Sequence, residues 1–240
     1  MSDITQAFPL AARLLLQFDP LLREIIGLSL AVSLTAVVLA AIVGLPLGAG
    51  LALLRFPTRN FFIVLNNTLL GLPPVVVGLV VYLLLSRSGP FGFLGLLFTP
   101  AAMVLAQCVL VTPIIMALTR QQIEDLWLEY AEQLQSMGAS RLLAIPTLLW
   151  EGRHSLMTCV LAGFGRAIGE VGAIIIVGGN IDHYTRTMTT AIALETSKGN
   201  LALALALGFV LITLSMVVNG TVYGLKEHAL RHDLSGITAP

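Results

Sequence analysis

The sequence predicts an all-α integral membrane protein with about five transmembrane helices, and three observations carry that prediction. Hydrophobic residues make up 57% of the 240 positions and charged residues only 11%, whereas a soluble globular domain carries about 25% charged residues. So few charges cannot coat a water-facing surface of this size, and the mean hydropathy is +0.92. The apolar residues gather into runs long enough to cross a hydrocarbon core of about 30 Å, which takes roughly 20 residues of helix. Polar and basic residues collect between those runs.

Taken in order, the predicted spans are residues 27–54, 63–85, 96–118, 155–179 and 201–223. The patch at 8–18 is too short to cross, so 1–26 is expected to be an N-terminal segment lying at the interface. The opening "MSDITQAFPLAARLLLQF" has neither the basic start nor the small-residue cleavage site of a signal peptide. Basic residues in short loops favour the cytoplasmic side. With the N-terminus outside, Arg55, Arg59, Arg120, Arg141, Arg153, Lys226 and Arg231 fall inside, and only Arg87, Arg186 and Lys198, with Arg13 and Arg23 at most, fall outside. The expected topology is N-out and C-in. The third connection, 119–154, is the longest and most polar and is then cytoplasmic. The fourth, 180–200, is external, and its "TMTTAIALET" can fold back as a short surface helix. No repeat or linker divides the chain, which reads as one domain over 1–240.

Prolines and glycines punctuate the spans. Pro73 and Pro74 in "LPP", Pro113 in "TP" and the "GLPLG" of 44–48 each remove or weaken backbone hydrogen bonds. In lipid such breaks persist only where protein or water meets the freed groups. Pro73, Pro74 and Pro113 are therefore expected helix breaks, either packing kinks or parts of a pathway.

The fourth span holds "GFGRAIGEVGAIIIVGGN", with Arg166 and Glu170 one helical turn apart. A lone Arg at mid-membrane costs about 2.5–3.5 kcal/mol, and a buried pair only breaks even against apolar residues. Stability alone does not explain the two charges. A neutral pair offers an anion no net attraction, which favours a structural tie or gate over a substrate ligand; a proton relay through Glu170 is a third reading. The face Gly165-x-x-x-Gly169-x-x-Gly172 is the small-residue pattern of close helix packing, within the chain or against a second copy.

In the third connection, "EYAEQLQSMGASRLLAIPTLLWEG" (129–152) reads as helix, break and helix. Gly138 supplies the left-handed residue that ends the first helix, and Ser140 caps the second. Trp127 and Tyr130 stand among Glu124, Asp125, Glu129 and Glu132. That mixture suits either a solvated loop or a helix docking in a partner's groove.

Several functions are excluded. No G-x-x-x-x-G-K-S/T phosphate loop, H-E-x-x-H zinc motif or nucleophile elbow is present. The chain is expected to be no enzyme, to hold no metal or other cofactor, and to leave any ATP and Mg to a separate subunit. Cys108 and Cys159 suggest neither disulfide nor metal site. The zero net charge argues against nucleic acid.

The third connection resembles the signature loop of the permease subunits of ATP-binding-cassette importers, E-A-A-x3-G-x9-I-x-L-P. Glu132 and Gly138 match it and Leu148 takes the isoleucine place, but Gln133 and Leu134 replace the alanines and Trp150–Glu151 replaces Leu-Pro. "GRAIGEVGAIIIVGGNIDHYTRTMTTAIALE" and "LPPVVVGLVVYLLLSRSGPFGFLG" are similar to the oxyanion branch, the sulfate, molybdate and tungstate permeases. "TRTMTTAIALETSKGNLALALALG" looks most like the tungstate-specific members. The likeness runs from about Leu28 to Tyr223. It implies a type I importer permease fold in a bacterial or archaeal inner membrane, and a pathway formed by a homodimer. An extracytoplasmic protein would deliver the oxyanion. ATPase subunits would dock on the third loop through Glu129, Glu132, Gly138, Ala139 and Ser140. Polar residues available to a pathway are Ser29, Ser33, Thr35, Asn66, Asn67, Thr68, Gln107 and Thr112. The competing expectation is an ion- or proton-coupled secondary transporter or channel using Glu170.

Overall fold

A computed structural model describes Pro9 and residues 20–237, and among these the regular structure is entirely helical. The helices are α1 (Pro20–Leu53), α2 (Arg59–Leu70), α3 (Pro74–Leu85), α4 (Pro100–Ser136), α5 (Arg141–Glu151), α6 (Arg153–Ile168), α7 (Gly172–Gly178), α8 (Met188–Ser197) and α9 (Leu201–Ile237). Three stretches are long and apolar enough to cross a membrane: Leu22–Leu53, Pro100–Ser136 and Leu201–Thr221. The count reaches five when the pairs α2/α3 and α6/α7 each make one broken crossing. Apart from Pro9, the 8–18 patch lies outside the described residues. Residues 20–26, expected in the interfacial segment, form the first turns of α1 instead.

Two expectations about breaks meet different outcomes. Pro73 is extended (φ −63°, ψ 127°) and Pro74 opens α3, where a proline forfeits no helical bond. Pro113 is different: it lies inside an uninterrupted α4, as Pro46 lies inside α1. Within hydrocarbon a continuous helix is still the conformation that satisfies the most backbone groups, so one missing N–H does not end it. Asn66 Nδ2 donates to the Pro113 carbonyl at 3.2 Å, adding a donor from α2.

The chain groups into two compact units. One comprises the described residues of Met1–Ala36 with Leu72–Val109 and Gly165–Val217. Here α3 packs on α7 so closely that a Cβ on Gly78 would stand 2.8 Å from Ala173 Cα. The first turn of α8 is buried, and Met188 and Ala191 share a cluster with Leu22, Ile25, Leu207 and Val210. The short helix expected at 187–196 is therefore present, but its N-terminal turn is core rather than surface. Ser29 fixes it, donating to the Ile25 carbonyl at 2.7 Å and accepting from Met188 N at 2.8 Å.

The second unit comprises Val37–Gly71, Leu110–Phe164 and the described part of Val218–Pro240. A Cβ on Gly48 would lie 2.5 Å from the Met116 carbonyl oxygen, and one on Gly44 3.1 Å from Ile115 Cγ2. "GLPLG" is thus the close-approach face of α1 against α4, not a break. Lipid tails are as apolar as side chains, so such van der Waals contact is what holds membrane helices together.

Candidate functional site

The stretch predicted as the fourth span is interrupted where its charges lie. Helix α6 stops at Ile168 and α7 starts at Gly172, so Glu170 sits in the break rather than one turn up a continuous helix. The ion pair still forms, Arg166 Nη1 meeting Glu170 Oε2. The other carboxylate oxygen, Oε1, accepts from Ala173 N at 3.2 Å at the start of α7. A carboxylate is favoured there because the first N–H groups of a helix lack intrahelical acceptors.

Two backbone carbonyls at the break are met by side chains of other helices. Gln107 Nε2 donates to the Ala167 carbonyl at 3.0 Å, and Thr189 Oγ1 donates to the Glu170 carbonyl at 2.9 Å. Gln107 is 1% exposed and Glu170 3%. This is the condition under which irregular backbone survives at membrane depth. Gln107 was foreseen only as a polar residue available to a pathway, and Thr189 only as part of a surface helix. Their partners lie 60 and 19 residues away, beyond the reach of local pattern.

The glycine face behaves unevenly. A Cβ at Gly165 would meet nothing within 4 Å, and one at Gly169 only the Gly165 carbonyl at 3.8 Å, whereas one at Gly172 would press on Val75 Cγ2 at 3.0 Å. Within the chain, the close approach of α6 is made by Gly163, whose Cβ would stand 2.9 Å from Val111 Cγ1.

Next comes the third connection. Helix α4 runs on to Ser136, so most of 119–154 is helical. Gly138 is left-handed at φ 79°. Ala139 N donates to the Leu134 carbonyl at 2.9 Å and Gly138 N to the Gln135 carbonyl at 2.9 Å, ending α4 in a Schellman-like turn. Ser140 caps α5, its hydroxyl accepting from Leu143 N at 3.4 Å. One face of α5 is buried: Ala144 and Leu148 join Ala49, Leu53 and Ile123 in a core. The other face and the turn before it expose Met137 at 77%, Leu142 at 63% and Leu143 at 66%. Glu129 and Glu132 are exposed as well. Three large apolar side chains are thus exposed beside carboxylates around this turn.

Arginines secure this region. Arg59 pairs with Glu124 at 2.6 Å, Arg120 with the same carboxylate at 2.7 Å, and Arg141 stacks 5.2 Å from the Trp127 ring centroid. In the sequence these arginines served only as topology markers.

Of the polar residues available to a pathway, Thr68 bonds the Val64 carbonyl at 2.9 Å, and Ser29, Asn66 and Gln107 also donate to backbone carbonyls, as Ser and Thr in membrane helices commonly do. Outside the crossings, the loop before α8 presents His183, whose Nδ1 lies 2.8 Å from Glu24 Oε2. That hydrogen bond, with the Asp182 charge beside it, raises the His183 pKa above its ordinary value. Among the described residues no cluster of His, Cys, Asp or Glu could hold a metal ion.

Residues 44–227 match the family described as binding-protein-dependent transport system inner membrane component. The chain is 41% identical to a tungstate uptake system permease protein of Peptoclostridium acidaminophilum, over 95% of this chain and 100% of that one. It is 40% identical to a tungstate uptake system permease protein of Campylobacter jejuni over 72% of each. A molybdate/tungstate transport system permease protein of Pyrococcus furiosus is 29% identical over 91% of this chain and 84% of its own. The chain therefore belongs to the inner-membrane components of binding-protein-dependent transport systems, multi-pass permeases of the type I importer fold that are not themselves enzymes.

Proposed function

We propose that the chain is the permease subunit of an ATP-driven importer for tungstate or a related oxyanion. The observation that carries this reading is its full-length relation to a tungstate uptake permease. In this reading two copies form the pathway, an extracytoplasmic binding protein delivers the anion, and ATP and Mg are held by separate cytoplasmic ATPase subunits. The N-terminus is outside and the C-terminus cytoplasmic. The exposed apolar tip around Met137, Leu142 and Leu143 supports docking of an ATPase there, with Glu129, Glu132, Gly138, Ala139 and Ser140 as the coupling residues. A helix that ends on a left-handed glycine and restarts on a capping serine presents that tip as a stiff corner. The exposed Gly165 and Gly169 leave room for a second copy.

The Arg166–Glu170 pair serves as an intramembrane tie or gate at the α6/α7 break, and Pro73 and Pro74 mark the second break. A proton-coupled transporter relying on Glu170 gains no support, because both carboxylate oxygens are already engaged by donors. The test is co-purification from the native membrane. Affinity-tagged chain is expected to bring down a P-loop ATPase, and Gly138→Pro, which cannot adopt φ 79°, to lose it. Recovery of the wild-type chain alone, with transport that needs no ATP, contradicts the proposal.

A further inference from the structure

The C-terminal end of α1 is closed in an unusual way. The last carbonyls of a helix lack intrahelical donors, and the residues that follow, Leu54-Arg55-Phe56-Pro57, offer no glycine cap. Two guanidinium groups from other helices help fill the gap. Arg59, at the start of α2, donates from Nε to the Leu51 carbonyl at 2.7 Å and from Nη2 to Ala52 at 3.5 Å. Arg141, the first residue of α5, donates from Nη1 to the Leu53 carbonyl at 3.1 Å, across 88 residues of sequence. Positive charge is favoured at this end of a helix by its dipole.

Arg141 is also held from a second side, since its guanidinium lies 5.2 Å from the Trp127 ring in α4. The other contacts of α5 with α1 are apolar, between Ala144, Leu148 and the side chains of Ala49 and Leu53. Apolar surfaces resist separation but specify register weakly. A hydrogen bond from a stacked, planar donor fixes it. Lysine could keep the hydrogen bond but not the planar stacking.

We infer that Arg141 is a positioning residue that locks the first turn of α5 to the end of α1, so that a displacement of α5 by a docked partner reaches the first span directly. The last turns of α1 and the whole of α5 lie in one compact unit, so the bond acts between elements that already pack together. Without the link, motion of α5 would reach α1 only through the apolar core that Ala144 and Leu148 share with Ala49 and Leu53, which can slip in register. The inference rests on the docking role proposed for α5.

The experiment uses the whole transporter: tagged permease co-expressed with its ATPase and binding protein, reconstituted in proteoliposomes. Tungstate accumulated and ATP hydrolysed are both measured per assembled complex for wild type, Arg141→Gln and Arg141→Lys. Arg141→Gln is expected to assemble and hydrolyse ATP within about twofold of wild type while tungstate moved per ATP falls roughly tenfold; Arg141→Lys is expected to recover part of that loss. Unchanged tungstate per ATP in Arg141→Gln overturns the inference. So does a loss of transport matched by an equal loss of assembled complex, which makes Arg141 a residue of the fold alone. Failure of the docking role itself looks different: wild-type permease then brings down no ATPase.

Discussion

Arg166→Leu isolates the cost of the charged pair. Glu170 is 3% exposed and Arg166 36% exposed. Removing the arginine leaves a buried carboxylate with one remaining donor, the Ala173 N–H at 3.2 Å. Stripping one partner from a buried pair typically costs 3–5 kcal/mol. Because Arg166 itself is only partly buried, the lower end, about 3 kcal/mol, is the expected loss. For a chain of this size each kcal/mol moves the melting temperature by roughly 2–4 °C, so a fall of about 6–12 °C is expected. In the double variant Arg166→Leu/Glu170→Gln the amide oxygen can still accept from Ala173 N while the orphaned charge is gone, and most of the stability should return. The assay is thermal unfolding of detergent-solubilised permease followed by intrinsic fluorescence. A single variant that melts within about 2 °C of wild type, or a double variant no better than the single, refutes the argument. A double variant of wild-type stability that no longer supports uptake would assign the pair to gating.

Two other outcomes follow from the geometry. Gly48→Ala should destabilise by about 1–3 kcal/mol because backbone must move to admit the new atom, whose Cβ would stand 2.5 Å from the Met116 carbonyl oxygen. Gly50→Ala, whose Cβ would lie 3.8 Å from Leu54 Cδ1, should be neutral or slightly stabilising in the same melt; equal losses at both sites would contradict the packing described. The His183–Glu24 contact should be pH-dependent. Its raised His183 pKa makes the stabilisation fully present below about pH 6.5 and lost as the pH rises through the higher folded value. His183→Gln should remove that part of the pH–stability profile, and superimposable profiles would contradict it.

Much of the fold was legible because lipid imposes simple rules on sequence. The apolar runs gave three uninterrupted candidate spans, and "LPP" gave the break between α2 and α3. Gly138 and Ser140 could be read because a left-handed cap and an N-cap are local devices, decided within a few residues. What was not legible depends on distant partners. Pro113 looked like "LPP" in kind, but a single proline within a long apolar run leaves enough helical bonds to carry the helix through. Gly44 and Gly48 have the same spacing as Gly165 and Gly169, yet only the first pair meets α4, and spacing alone cannot tell which face finds a neighbour. Glu170 was expected on a helix because Arg166 is four residues away; its carboxylate caps α7 instead, and Gln107 and Thr189 satisfy the break from elsewhere. Arg59 and Arg141 appeared as two of many basic loop residues, and nothing within a few positions of either signals that it closes the end of α1.

The central claim is that the chain moves an oxyanion only when a partner hydrolyses ATP. Tungstate retained by sealed proteoliposomes, with permease alone or with ATPase and binding protein added, measures this directly. Accumulation above the external concentration is expected only with all three proteins and hydrolysable ATP on the ATPase side. Accumulation by the lone permease under a pH gradient, without ATP, would contradict it.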